Sequence, residues 1–302
     1  VNKNMRKHPV IWGVFILLAM VILFYAFFYK VGSHSSKSKS FSLNDKIGVV
    51  SVDGPIFDSI KITEQLDEFG KDDSIIAVIL RVDSPGGGVA ASQEIYDAVL
   101  ELKKKKKVVA SMGSIAASGG LLVACGADKI VANPGTITGS ISAIMQFANF
   151  EGLLKKIGLK SSVVKSGKFK DIGSPLRDMT PEEKKIIQDL VDDIYNQFVD
   201  VVAQERKLSR AKVIQIADGR VFSGRKAKEY GLVDYLGDMS FAAKLASKLA
   251  GKDGKYDLVY PTKKRASIFD YLMESAANQL SESLKEKIES WSGVSYLYYP
   301  YR

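Results

Sequence analysis

Residues 75–124 read IIAVILRVDSPGGGVAASQEIYDAVLELKKKKKVVASMGSIAASGGLLVA. The run Ile75–Val82 is rich in Ile and Val and closes on Asp-Ser-Pro-Gly, the pattern of a strand buried on both faces. Ala91, Ile95, Ala98, Val99 and Leu102 then recur on one helical face. After the lysine run 103–107, Val108–Met112 reads as a second strand and Leu121–Ala124 as the start of a second helix. Upstream, Ile47–Val52 is a strand of the same kind and Ile60–Phe69 has helical spacing. This β-α-β-α alternation predicts an α/β fold with parallel strands and right-handed crossovers. Downstream, Ser161–Val164 reads as β-like. Thr180-Pro181-Glu182-Glu183 places an N-cap threonine, a proline at the first helical position and a glutamate at the third, so a capping box opens a helix of about 27 residues ending at Arg206.

With 302 residues, 46% hydrophobic and 25% charged, the chain is long enough for one large globular domain or two small ones. Its net charge of +9 is concentrated at one end: residues 1–46 carry seven Lys/Arg against the single acid Asp45. The remaining body is close to neutral, which argues against nucleic acid as a partner. One cysteine, Cys125, excludes an intrachain disulfide. With only His8 and His34 as histidines, a Cys/His zinc site is excluded as well, and no cofactor is expected. Both histidines flank an apolar segment, which also disfavours a Ser/His/Asp triad.

That segment, Val10–Tyr29, is VIWGVFILLAMVILFYAFFY, twenty residues without a charge. As a helix it would be about 30 Å long, the hydrocarbon thickness of a bilayer. A cleavable signal would have an apolar core of roughly 7–15 residues ending at a small-x-small site. Here Ala26-Phe27-Phe28-Tyr29 supplies aromatics, so an uncleaved anchor in a lipid bilayer is expected. Flanking positive charges tie across it, and a long domain after a short tail favours the extracytoplasmic side of a cell membrane. The expected organisation is a tail (1–9), an anchor (10–29), a Ser/Lys-rich tether (30–46), a folded body (47–260) and a C-terminal region (261–302). In the last, Ile268, Leu272, Leu280, Leu284, Ile288 and Trp291 predict an amphipathic helix over 266–291. The tyrosine-rich stretch 296–302 is expected to dock in a peptide groove of its own assembly.

Three glycine-containing turns are where chemistry could sit. Asp83-Ser84-Pro85-Gly86-Gly87-Gly88 lets backbone N–H groups approach a ligand, and it matches neither a P-loop nor a dinucleotide fingerprint. Gly113–Gly120 carries Ser118 at a strand-to-helix corner. That position suits a nucleophile, since an anion formed there would meet free N–H groups, although position and residue type alone favour a plain N-cap. Lys165-Ser166-Gly167-Lys168-Phe169-Lys170-Asp171 is rich in lysine. Without imidazole a serine nucleophile needs another base, and a lysine serves only when neutral, with its pKa lowered from about 10.4 to roughly 7–8. Residue types leave open which lysine that is.

VDSPGGGV, ASMGSIAASGG followed by ANPGTITGS, SGKFKDIGSPLRDMTPEE and DGRVFSGRKAKEYGLVDYLG, in this order between Lys46 and Gly237, resemble the signal peptide peptidase A (SppA, protease IV) family in its short form. The resemblance implies a ClpP/crotonase-like fold of repeated β-β-α units. It also implies a ring-like homo-oligomer in which serine and lysine meet across a subunit interface. It assigns Ser118 as nucleophile, Lys170 as general base, Ser140 as the serine orienting that lysine, and the N–H groups of Gly87 and Gly119 as oxyanion hole. The implied substrates are peptides, namely cleaved signal peptides and other extended apolar segments. One departure stands out: Ile141-Ser142-Ala143 replaces the usual Ile/Leu-Gly-Val after T-G-S. The rival readings are a crotonase-like acyl-CoA enzyme and a catalytically inactive membrane-anchored scaffold.

Overall fold

The computed structural model describes residues 16–24, 44–261 and 295–297. Val1–Leu43 and Asn44–Arg302 form separate units. In the first, residues 16–24 are helical and exposed. No helix among the described residues is long and apolar enough to cross a membrane. The rest of the predicted 10–29 span, most of the tether and the predicted 266–291 helix lie outside the described residues.

The second unit runs β1 (Asp45–Asp53), α1 (Ile60–Lys71), β2 (Ile75–Ser84), β3 (Gly86–Gly88), α2 (Val89–Lys103), β4 (Lys107–Ala117), α3 (Gly119–Cys125), β5 (Lys129–Ala132), β6 (Ile137–Gly139) and α4 (Glu151–Lys156). It continues with α5 (Pro181–Arg206), α6 (Arg210–Ile214), β7 (Val221–Ser223), α7 (Gly224–Glu229), β8 (Tyr235–Leu236), α8 (Met239–Leu249), β9 (Tyr256–Val259) and β10 (Ser295–Leu297). β2-β3-α2 and β5-β6-α4 are β-β-α runs.

The main sheet orders its strands β7-β6-β4-β2-β1-β9, with β5 on β4 and β8 on β5. All of its pairs are parallel except β6–β7. Because both faces are covered, the strands are apolar throughout rather than alternating. Val50, Val78, Leu80, Val108 and Ala110 pack into the larger core, together with residues of α1, α2, α3 and α5. Ile47, Val49, Ala77, Ile79 and Val109 point the other way, onto Ala242, Ala243 and Ala246 of α8.

β4 extends to Ala117, five residues beyond the expected Met112. Small residues here serve the sheet rather than a turn. A Cβ on Gly113 would lie 2.5 Å from Asp83 Cγ, and Asp83 Oδ1 accepts the Ile115 N–H at 3.1 Å. The added half of β4 pairs with β6, Ala117 standing opposite Gly139. A second correction concerns Ser161–Val164, which forms no strand; Val164 is fully exposed. β-like residues without a neighbouring edge leave their backbone groups to water.

α5 starts as expected: Thr180 Oγ1 accepts the Glu183 N–H at 3.2 Å and Glu183 Oε2 accepts the Thr180 N–H at 2.8 Å. Its apolar anchorage is confined to the far end, through Phe198, Val199 and Val202. Phe198 is fully buried, and its replacement by alanine is worth about 3–5 kcal/mol in a core. Ile186 and Leu190, nearer the start, are exposed. The segment leading into α5, residues 144–180, therefore stands out as an arm with Leu153, Ile157, Leu159 and Val163 uncovered.

Candidate active site

The C-terminal ends of β2, β4 and β6 converge, as ligand sites in parallel sheets do. Ser118 follows β4 and Ser140 follows β6. The Ser118 N–H donates to Gly139 O at 2.8 Å, and the Ser140 N–H donates to Arg220 O at 2.8 Å. Both serines have positive φ, 54° and 52°, in a region that costs a non-glycine residue of order 1–3 kcal/mol. Ser118 has ψ −120° and is 2% exposed, and its side chain does not cap α3. A serine kept merely as a cap would bond a free helix N–H. This one holds a strained backbone and leaves its hydroxyl free of that duty.

The glycine turn packs directly against it. Ile56 N–H donates to Gly86 O at 2.9 Å and Gly88 N–H to Ile56 O at 2.7 Å, so Ile56 holds one edge of β3. A Cβ on Gly87 would lie 2.0 Å from Ile56 O, and a Cβ on Gly119 would lie 2.4 Å from Ser92 Oγ and 3.3 Å from Gly87 N. Only glycine lets these two backbones approach so closely. The other edge of β3 carries β10 in antiparallel register, Ser295 opposite Gly88, Tyr296 opposite Gly87 and Leu297 opposite Gly86. Part of the tyrosine-rich stretch is thus laid as an added strand along the glycine turn beside Ser118.

Four of the five expected site residues, Gly87, Ser118, Gly119 and Ser140, are brought together in this way. Lys170 lies on the arm, exposed, in a run of turns closed by Lys170 N–H to Gly167 O at 3.1 Å and Ile172 N–H to Phe169 O at 3.0 Å. It makes no hydrogen bond to Ser118 or Ser140 among the described residues. The Ser142 substitution is accommodated simply. Ser142 is not among the positive-φ positions, so no glycine is required there.

Three contributors escaped the sequence reading. Ile56 secures the glycine strand, Asp83 shapes β4, and Arg177 organises the turn that carries Lys170. Arg177 donates through Nε to Asp171 Oδ2 at 2.9 Å, and through Nη1 and Nη2 to Glu183 at 2.8 and 2.5 Å. That arginine holds the Asp171 carboxyl well below the usual carboxylate range, with Lys165 adding to the effect. It also draws Glu183 down to about 2, helped by the Thr180 N–H. The arginine six residues ahead of a capping-box glutamate was the available signal. Among the described residues no His/Cys/Asp/Glu cluster could hold a metal ion. An open cavity of about 630 Å³ lies between 143–149 and the first turns of α5, with Arg177 and Asp178 in its wall.

Residues 34–137 match the model of the Clp protease family, in agreement with a mixed α/β, ClpP-like fold. A solved point mutant of ClpP1 from Listeria monocytogenes aligns with TM-score 0.45 and 18% identity over 64% of this chain and 93% of that one. A putative protease of Synechocystis is 52% identical over 59% of this chain and 64% of its own length. A putative signal peptide peptidase SppA of Enterococcus faecium is 38% identical over 64% of this chain and 60% of its own. The chain thus spans less than two thirds of the length of either relative. Residues 101–253, half of the chain, match the model of peptidase family S49. With its serine corner, glycine strand and these relatives, the chain belongs to peptidase family S49, the signal peptide peptidase A family.

Proposed function

We propose that this chain is a membrane-anchored serine endopeptidase that uses a Ser118/Lys170 dyad on extended apolar peptides, cleaved signal peptides among them. The observation carrying this reading is Ser118 itself: buried, at positive φ, free of capping duty and adjacent to a glycine strand that already accepts an extended segment. A peptide lying along Gly86–Gly88 presents its carbonyl to the Ser118 hydroxyl. The neutral amine of Lys170, oriented by Ser140, takes the hydroxyl proton as Oγ attacks the carbonyl carbon. The N–H groups of Gly87 and Gly119 stabilise the oxyanion. Collapse expels the amine, which takes up the proton from Lys170. Water, deprotonated by the same lysine, then releases the acyl-enzyme.

In this reading Lys170 reaches the site of a neighbouring protomer. Its exposure, together with the uncovered apolar residues of the arm, supports a ring-like homo-oligomer in which a neighbour's arm completes each site. The span 10–29 would hold the ring at a cell membrane with the catalytic body on the extracytoplasmic side. The test is complementation in the full chain. Ser118→Ala and Lys170→Ala are each expected to abolish hydrolysis of a fluorogenic apolar peptide, and co-assembly of the two variants to restore a fraction. Full activity in either single variant refutes the dyad. Inactive singles with no recovery refute the sharing of sites between protomers. Labelling of Ser118 by an active-site serine probe separates a peptidase from an acyl-CoA enzyme or an idle scaffold.

A further inference from the structure

The guanidinium of arginine has five N–H donors in a rigid fork, and all five of Arg177 are used. Nε donates to Asp171 Oδ2 at 2.9 Å, Nη1 to Glu183 Oε2 at 2.8 Å and to Asp178 O at 3.0 Å, and Nη2 to Glu183 Oε1 at 2.5 Å and to Asp171 O at 3.3 Å. Two of these acceptors belong to Asp171, the residue directly after Lys170, and one of them is its backbone carbonyl. Two others belong to Glu183, which is 3% exposed and closes the capping box of α5. Arg177 therefore fastens the peptide that follows Lys170 to the first turn of a 26-residue helix. Two further ion pairs brace the same turn: Lys165 on Asp171, and Lys168 on Glu182 of α5.

This is more structure than an exposed loop needs. Residues 157–168 are exposed and carry no regular structure beyond turns, yet the turn beginning there is held by charged side chains as well as by the Phe147 ring against Gly173. Glu183 is the buried group in the network. A buried carboxylate stripped of its partner is costly, so the fork and the helix start hold each other in one geometry. An exposed surface pair gains little stability, whereas a planar two-pronged contact adds orientation.

We propose that Arg177 is a positioning residue: through Asp171 and Glu183 it sets the direction in which Lys170 leaves the arm, and so the alignment of the amine with the serine it serves. The inference rests on the Ser118/Lys170 reading and deepens it. Arg177 touches neither substrate nor the reacting atoms. Its effect is on geometry, and a misplacement of about 1 Å in a catalytic group can cost on the order of 10²-fold in rate.

The experiment uses the full-length assembled chain with Arg177→Lys, which keeps the charge but loses the fork, and Glu183→Gln, which keeps the oxygen acceptor and loses the charge. Each is measured for oligomer size, kcat and KM on a fluorogenic apolar peptide, and the pH profile of serine-probe labelling. Arg177→Lys is expected to assemble, to keep its KM within about twofold, and to lose roughly 10–100-fold in kcat. The acidic limb of its labelling profile moves, because that limb follows deprotonation of the general base, which no longer sits in its assigned surroundings. Glu183→Gln is expected to do the same more weakly. An assembled Arg177→Lys with wild-type kcat and pH profile overturns the proposal, and so does failure of both variants to assemble, which would make the network purely structural. If Lys170→Ala retains full activity, the dyad itself falls, an outcome distinct from an inert Arg177 beside an essential Lys170.

Discussion

Ser118 and Ser140 leave the sheet side by side, one residue past the paired ends Ala117 and Gly139 of β4 and β6, and both adopt positive φ. At such positions stability and chemistry can be read separately. Glycine relieves the backbone while deleting the hydroxyl, whereas alanine deletes the hydroxyl and keeps the strain. Ser140→Gly and Ser140→Ala are expected to lose kcat equally, by about 10–100-fold, since the hydroxyl proposed to orient Lys170 is gone in both. The glycine variant is expected to be the more stable of the two by about 1 kcal/mol in thermal unfolding. Unequal kcat values would mean that backbone geometry, not the hydroxyl, is what Ser140 supplies.

Gly87→Ala tests the proposed oxyanion role of β3. The new methyl would lie 2.0 Å from the carbonyl oxygen of Ile56, a backbone atom that cannot rotate away, so β3 must shift and carry its N–H with it. Loss of one oxyanion donor typically costs on the order of 10²–10³-fold in kcat, and that is the expected drop. Gly135→Ala, where a Cβ meets nothing within 4 Å, is the control and should be silent. If Gly87→Ala retained wild-type kcat, the strand would have no part in transition-state stabilisation.

The parts of this molecule that the sequence makes legible are those whose cause is local. Ile75–Val82 announces a buried strand by composition, and Thr180/Glu183 announces a helix start by spacing; both hydrogen bonds of that capping box are present. Gly113 could not be read, because its reason is the side chain of Asp83, far upstream in the chain. Nor could the exposure of Ser161–Val164 be foreseen, since β-propensity describes a residue and not the edge it needs. In the residue pattern Ser118 reads more readily as a cap than as a nucleophile. Its φ and its uncapping hydroxyl argue against the cap, and neither is encoded by spacing.

β10 makes a prediction about access. One edge of Gly86–Gly88 is held by Ile56 and the other by residues 295–297, so an incoming extended peptide must displace that segment to pair there. A chain lacking residues 292–302 is expected to show faster Ser118 labelling and a lower KM for an extended apolar peptide, with its oligomer size unchanged. A synthetic peptide of the same eleven residues should then inhibit the shortened enzyme competitively. If neither activity nor assembly responds to the deletion, the segment does not guard the groove.

The carboxylates around Arg177 fix how the arm responds to acid. Pairing with that arginine, reinforced by the Thr180 N–H, lowers Glu183 from an ordinary 4.5 to about 2, and Asp171 is lowered in the same direction by Arg177 and Lys165. A carboxyl whose pKa is depressed on folding binds its proton more readily when unfolded. Its stabilising contribution is therefore complete above about pH 4.5 and is lost as the pH falls toward 2. Glu183→Gln removes that group at every pH, so the difference in melting temperature between wild type and variant should be widest at about pH 6 and close as the pH approaches about 2.5. Salt should narrow it less than it narrows the effect of the exposed Lys185–Asp189 pair, because Glu183 is buried while both members of that pair are not. A difference that stays constant across that range would show that Glu183 contributes through shape alone, and that its charge plays no part in holding the start of α5 to the Lys170 turn.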